Sequence, residues 1–163
     1  MNTAISHIDD FDFLDKEMLA KANISPKTGF ATDYLNVFNE AVMLFGLLAD
    51  MPEMIDELVI WEPLSYEEHF RRSHFHDKEL AIAVYHLIPE ERKKPFDNLS
   101  HELGHMVKNA IKDAEKLINE NGELADYCSE TCFALQSAIM MLDGMIHGRA
   151  AESSQDEVDA LFD

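Results

Sequence analysis

The feature that most constrains the fold is a run of apolar residues spaced three and four apart between Phe96 and Ile118, with no helix-breaking sequence before Asn121-Gly122. At 100° per residue, this spacing gathers the apolar side chains into one arc of an α-helix. The pattern predicts a long amphipathic helix that begins at Phe96 and turns this arc toward the core. The arc consists of Phe96, Leu99, Leu103, Met106, Ala110 and Leu117, widened by Val107, Ile111, Ala114 and Ile118.

A second long helix is predicted from about Ala125 to His147, with Gly148 as its end. The short connection makes the two long helices neighbours that run in opposite directions. Shorter helices are expected at 31–49, 52–61, 66–72 and 78–87, and no strand pattern or internal repeat is found. The expected fold class is all-α, a helical bundle with a long C-terminal antiparallel helix hairpin. Ser65 and Asp77 are placed to cap the last two of the shorter helices.

The chain divides into three parts by composition. Residues 1–28 are acidic and end in turn-forming residues, so we expect a flexible N-terminal arm. Residues 29–149 are expected to form a single helical-bundle domain. Residues 150–163 are expected to form an acidic tail that carries a short amphipathic binding helix.

The charge balance restricts the classes of partner. Asp and Glu number 32 against 13 Lys and Arg, which gives a net charge of -19. Nucleic acids and anionic lipids bind clustered basic residues, so neither is expected as a partner. The longest apolar run, 41–49, is too short to cross a membrane, and the N-terminus lacks a basic stretch followed by an apolar one. These features predict a cytoplasmic protein.

Two histidines and a glutamate stand in the spacing H-E-x-x-H, at His101, Glu102 and His105. The helical geometry above places both histidines opposite the apolar arc, beside Lys108 and Lys112. We therefore expect His101 and His105 to face solvent or a partner.

Zinc hydrolysis is one reading of this spacing, with His101 and His105 as ligands and Glu102 as base for a metal-bound water. A catalytic zinc site needs a third protein ligand. Glu123 would lie roughly 27 Å along the helix axis at about 1.5 Å per residue, and Asp143 is the one carboxylate that the hairpin brings back nearby. This hydrolase is kept as an alternative, as is a helical interaction module whose histidines carry no chemistry. The favoured interpretation, a signalling protein, includes no metal and no cofactor.

The C-terminal tail combines acids with a single apolar face. Ser154 and Glu157 form a capping box, and Val158, Leu161 and Phe162 follow at helical spacing. So short a helix cannot bury its face alone, so it is expected to fold on binding into a groove with a basic rim.

The tail resembles the receiver-binding peptides of bacterial chemotaxis proteins. The polar and apolar positions that carry the resemblance are Gln155, Asp156, Val158, Asp159, Leu161 and Phe162. The resemblance implies that these residues bind the receiver domain of a response regulator.

The stretch "FDNLSHELGHMVKNAI", 96–111, resembles the H-box of the dimerisation and phosphotransfer hairpin of sensor histidine kinases. The resemblance implies that His101 accepts a phosphoryl group, that Glu102 is the adjacent acid that assists it, and that the hairpin can form a homodimer. Gly104, His105 and Met106 depart from the basic, small polar and proline residues usual in that family. Both resemblances favour a bacterial two-component or chemotaxis-type signalling protein.

Overall fold

The structure, a computed structural model, describes residues 15–149. Helices account for most of this range, and its one β-type pairing is an isolated antiparallel bridge between Ile24 and Ala31. The predicted all-α fold is therefore confirmed. The helices are α1 Lys16–Lys21, α2 Asn36–Leu48, α3 Ile55–Val59, α4 Tyr66–Arg72, α5 Lys78–Leu87, α6 Glu90–Asn119 and α7 Ala125–Ile146, with 3₁₀ turns at Thr32–Leu35 and Pro52–Met54.

Helices α6 and α7 form the antiparallel hairpin. Asn121 takes a left-handed backbone conformation (φ 54°), and the Gly122 N–H donates to the Leu117 carbonyl at 2.7 Å, which reverses the chain. The hydroxyl of Tyr127, near the start of α7, donates to the Ala110 carbonyl of α6 at 3.1 Å. The end of α7 matches the prediction, since its last turn closes at His147 and Gly148 has a φ of 72°.

Helix α6 starts six residues earlier than predicted. The amides of Arg92 and Lys93 donate to the Pro89 carbonyl at 3.0 and 2.9 Å, so the first turn forms at Glu90. Pro95, which the prediction placed just before the helix, lies within its second turn. The prediction failed because proline is common at the start of a helix and rare inside one, so Pro95 was expected to mark the start. In the structure the first turn forms earlier, at Glu90 and Glu91 directly after Pro89.

The boundary drawn at residue 28 is wrong for residues 15–28, which belong to the folded body. Asp15 caps α1 by accepting from the Glu17 amide at 2.9 Å, and Leu19 and Ile24 are buried in the common core. The Thr28 hydroxyl donates to the carbonyl of Ile146 at the end of α7. The burial of Leu19 and Ile24 and the bond from Thr28 depend on residues distant in the chain, so composition and spacing in this segment did not reveal them. The first fourteen residues lie outside the described range.

Aromatic side chains fill the core where α6 meets the N-terminal half. The rings of Phe30 and Phe96 stack with centroids 3.9 Å apart, Tyr66 packs against both, and Tyr34 packs against Phe96. This cluster packs α6 against the residues that precede α2 and against the start of α4. Within the range 15–149, no helix is both long and apolar enough to cross a membrane.

Candidate functional site

His101 and His105 face outward, as the periodicity of α6 predicted. Both are exposed, while Leu103 and Val107 between and beyond them are buried. The two Nε2 atoms lie 3.0 Å apart, and the rings stand nearly perpendicular with centroids 4.5 Å apart. A hydrogen bond between two imidazole nitrogens needs a proton on one and a lone pair on the other, so one ring is the donor and the other the acceptor.

The H-E-x-x-H residues have no third metal ligand in the described part of the chain. No group of three or more His, Cys, Asp or Glu side chains is arranged there to hold a metal ion. Asp143, the carboxylate that the sequence brought closest, is paired with Arg149 at 2.8 Å and with His147 at 3.2 Å. Glu123 accepts from the Ala125 amide at the far end of the hairpin. The interpretation as a zinc site therefore has only two ligands among the described residues, His101 and His105.

The histidine pair forms the rim of a cleft that the sequence analysis missed. The cleft has a volume of about 490 Å³ and lies between α6 and the segment 62–68. Its α6 wall carries Asp97, His101 and His105, which follow one another at four-residue intervals and so share one face of the helix. The remaining polar side chains that line it include Tyr34, Glu62, Glu68, Tyr85, Ser100 and Lys108.

Close backbone approach shapes this cleft. Gly104 is buried on α6, and a β-carbon added there would lie 2.9 Å from Cβ of Pro63. Only glycine lets the segment around Pro63 come this close to the helix without displacement. Lys108 then ties the same segment to α6 by donating to the carbonyl of Trp61 at 3.3 Å and to the carboxylate of Glu62 at 3.1 Å.

Asp97 is the half-buried acid of the cleft. Its carboxylate accepts a hydrogen bond from the Tyr85 hydroxyl at 2.8 Å. Burial raises the pKa of Asp97, although the bond from Tyr85 and the charge of Lys93 act in the opposite direction. Within residues 15–149, no lysine, arginine or histidine makes an ion pair with this carboxylate.

The hydroxyl groups near Asp97 are held in fixed positions. Tyr34 donates to the Leu64 carbonyl at 2.8 Å, and burial raises its pKa to about 12. The Ser100 hydroxyl donates back to the Phe96 carbonyl at 2.9 Å. Both hydroxyls therefore remain neutral acceptors at physiological pH, with their protons already used inside the protein.

One feature of the sequence points to this cleft. Asp97 stands four residues before His101 and therefore on the same face of α6. Tyr85 comes from α5 and Tyr34 from the turn before α2, and sequence spacing cannot bring such distant residues together. The predicted partner-binding residues of the tail, Gln155 to Phe162, lie outside the described residues, so the structure does not place them. The chain matches no protein-family model, no curated protein and no solved structure.

Proposed function

We propose that this chain is a cytoplasmic bacterial signalling protein that binds the receiver domain of a response regulator and exchanges a phosphoryl group with it at His101. The observation that carries the proposal is the exposed His101 imidazole on α6 of an antiparallel helix hairpin. Phosphoryl transfer needs such exposure, because the receiver must bring its aspartyl phosphate in line with a ring nitrogen.

The surroundings of His101 support access by a phosphorylated partner. Glu102 is exposed beside it, as the adjacent acid of the resemblance should be. Lys112 is exposed about three turns further on, on the same side of α6. This exposed basic group lies on the face that a phosphorylated partner would approach.

The transfer step is a substitution at phosphorus. A lone pair of the His101 ring attacks the phosphorus of the receiver's aspartyl phosphate, an N–P bond forms, and the P–O bond to the carboxyl oxygen breaks. The electron pair of that bond stays on the released carboxylate. We assign the shared proton to Nε2 of His101, which makes Nδ1 the attacking atom and lets His105 Nε2, 3.0 Å away, accept the proton that the phosphorylated ring releases.

The tail supplies the anchor in this proposal. Val158, Leu161 and Phe162 form the apolar contact, and Asp156 and Asp159 meet the basic rim of the receiver's groove. A homodimer through the hairpin belongs to the same proposal. Phe133 and Met140 on α7 are 74% and 73% exposed, which offers apolar surface to a second hairpin.

The test is transfer of labelled phosphoryl from phosphorylated receivers of the same genome to the full chain. We expect the label on the protein, no label in His101→Gln, and slower labelling in His105→Gln. The matched control is His76→Gln, since the His76 side chain is 95% exposed and lies outside the hairpin. Equal labelling of His101→Gln and the control would exclude His101.

The same assay tests the tail. A chain that ends at Arg149 should need far more receiver for equal labelling, and a labelled 153–163 peptide should bind the receiver at tens of micromolar or tighter. If no receiver binds the peptide, the tail is not the anchor. Stoichiometric zinc in untagged protein, lost in His101→Ala, would instead favour the hydrolase.

A further inference from the structure

The cleft beside α6 contains a carboxylate, Asp97, that makes no ion pair with the residues the structure describes. Asp97 is half-buried, and its one hydrogen-bond donor among residues 15–149 is the neutral Tyr85 hydroxyl at 2.8 Å. A carboxylate removed from water is costly unless a cation or several donors compensate it. The Tyr85 bond supplies one donor, and the open side of the carboxylate faces the cleft.

Lys93, one helical turn before Asp97, and Lys108, which lines the cleft, make their close contacts with other groups. Lys93 lies over the Tyr85 ring, 4.8 Å from its centroid, and 3.5 Å from the Glu90 carboxylate. Lys108, at the other end of the cleft, is paired with Glu62. Lys93 acts on Asp97 through its charge without forming an ion pair, so a cation in direct contact with the carboxylate must come from outside the described residues.

The remaining lining groups restrict the chemistry of such a ligand. Tyr34 and Ser100 offer hydroxyl oxygens whose protons are already donated, so they accept hydrogen bonds from a ligand that carries N–H groups. Glu68 at the mouth is a second carboxylate, but it already accepts from the Ser65 hydroxyl at 3.1 Å and pairs with Arg72 at 3.7 Å. An anionic ligand would meet the carboxylate of Asp97, while Lys108, the one lysine of the lining, is already paired with Glu62, so anions are disfavoured.

We infer that this cleft binds a small aliphatic amine, with the ligand's ammonium group on Asp97. The volume of about 490 Å³ falls within the range of small-molecule sites. Ammonium groups supply several N–H donors at once, which fits the carboxylate and hydroxyl acceptors of the floor. The net charge of -19 also raises the local concentration of cations. This inference does not depend on phosphotransfer at His101.

The experiment is calorimetric titration of the full chain with putrescine and n-butylamine at 0.15 M salt. We expect saturable one-to-one binding that weakens at least tenfold in Asp97→Asn, because asparagine keeps an acceptor for Tyr85 and loses the charge. Asp113→Asn is the matched control, since Asp113 also lies on α6 and accepts from a tyrosine, Tyr127, at 3.4 Å, outside the cleft. The control variant should bind as the wild type does.

Three results would overturn the inference. They are the absence of saturable binding at millimolar amine, equal weakening in Asp97→Asn and Asp113→Asn, and full displacement of the amine by equimolar Mg²⁺. The second would mean that amines gather on the acidic surface in general, and the third that the cleft takes any cation. Circular dichroism of both variants separates a lost site from a lost fold.

Discussion

Asp97 is a residue at which folding and the proposed amine binding favour different protonation states. Its carboxylate lies half-buried beside Tyr85, and burial raises its pKa, which means that the folded protein favours the protonated acid. An acid of this kind contributes stability below its ordinary pKa, and that contribution is lost as pH rises through the raised value. At neutral pH the charge therefore opposes folding.

We expect Asp97→Asn to stabilise the protein near pH 7, by less than about 1 kcal/mol because the side chain is half exposed and partly screened by water. The gain should shrink as pH falls to about 3, where both side chains are neutral. Urea unfolding at the two pH values, with Asp113→Asn as control, measures the difference. A variant less stable than wild type at pH 7 would show that the charged form of Asp97 supports the fold.

For single residues, the sequence predicted the direction of a side chain better than it predicted the groups that surround it. The outward direction of His101 and His105 follows from 100° steps along an amphipathic helix, and that direction is confirmed. The contact between Tyr85 and Asp97 could not be predicted, because it depends on how α5 packs against α6. The cleft arises from that packing and from the segment around Pro63.

Among the elements, α6 depends most on one close contact. Gly104 admits Pro63, whereas Gly46 on α2 has open space where a β-carbon would lie. The two glycines thus sit within helices but differ in what surrounds them. Their substitution separates helix propensity from packing.

Gly46→Ala should stabilise the protein by roughly 0.5–1 kcal/mol, which is the propensity difference alone. Gly104→Ala should destabilise it by about 1–3 kcal/mol, because the clash with the proline ring exceeds that gain. Thermal and urea unfolding of both variants check the signs. If Gly104→Ala is as stable as wild type, the segment around Pro63 moves away easily and the cleft wall is soft.

Element bounds were predictable where local chemistry decided them. Ser65 accepts from the Glu68 amide at 3.2 Å and starts α4 at Tyr66, as its capping pattern predicted. Asp77 precedes α5 at the expected position but makes no side-chain cap. The start of α6 was predicted wrongly because Pro95 is also a residue typical of a first turn, whereas that turn forms at Glu90.

The extent of the whole folded body is set by contacts between its two ends. Helix α1 has only six residues and cannot be stable alone, so its burial against the bundle must hold it. Leu19 is fully buried, while its neighbour Met18 is 42% exposed. This segment therefore belongs to the folded domain, although composition alone predicted a flexible arm.

Leu19→Ala should cost about 2–4 kcal/mol of unfolding free energy, as for other buried leucines. Met18→Ala should change it by less than about 0.5 kcal/mol, apart from a small helix-propensity gain. Denaturant unfolding of the two variants provides the comparison. Equal and small effects of the two substitutions would show that residues 15–28 are only loosely attached to the bundle.

The bond from Thr28 to the Ile146 carbonyl joins points 118 residues apart. A load applied at the exit of α7, such as a partner that pulls on the segment after Arg149, would pass through this hydroxyl to the turn at 25–30 and to α1. Amide protons at the two ends of the described chain should then exchange with solvent as one cooperative unit. A pull on the end of α7 is thus transmitted directly to the N-terminal end of the described chain.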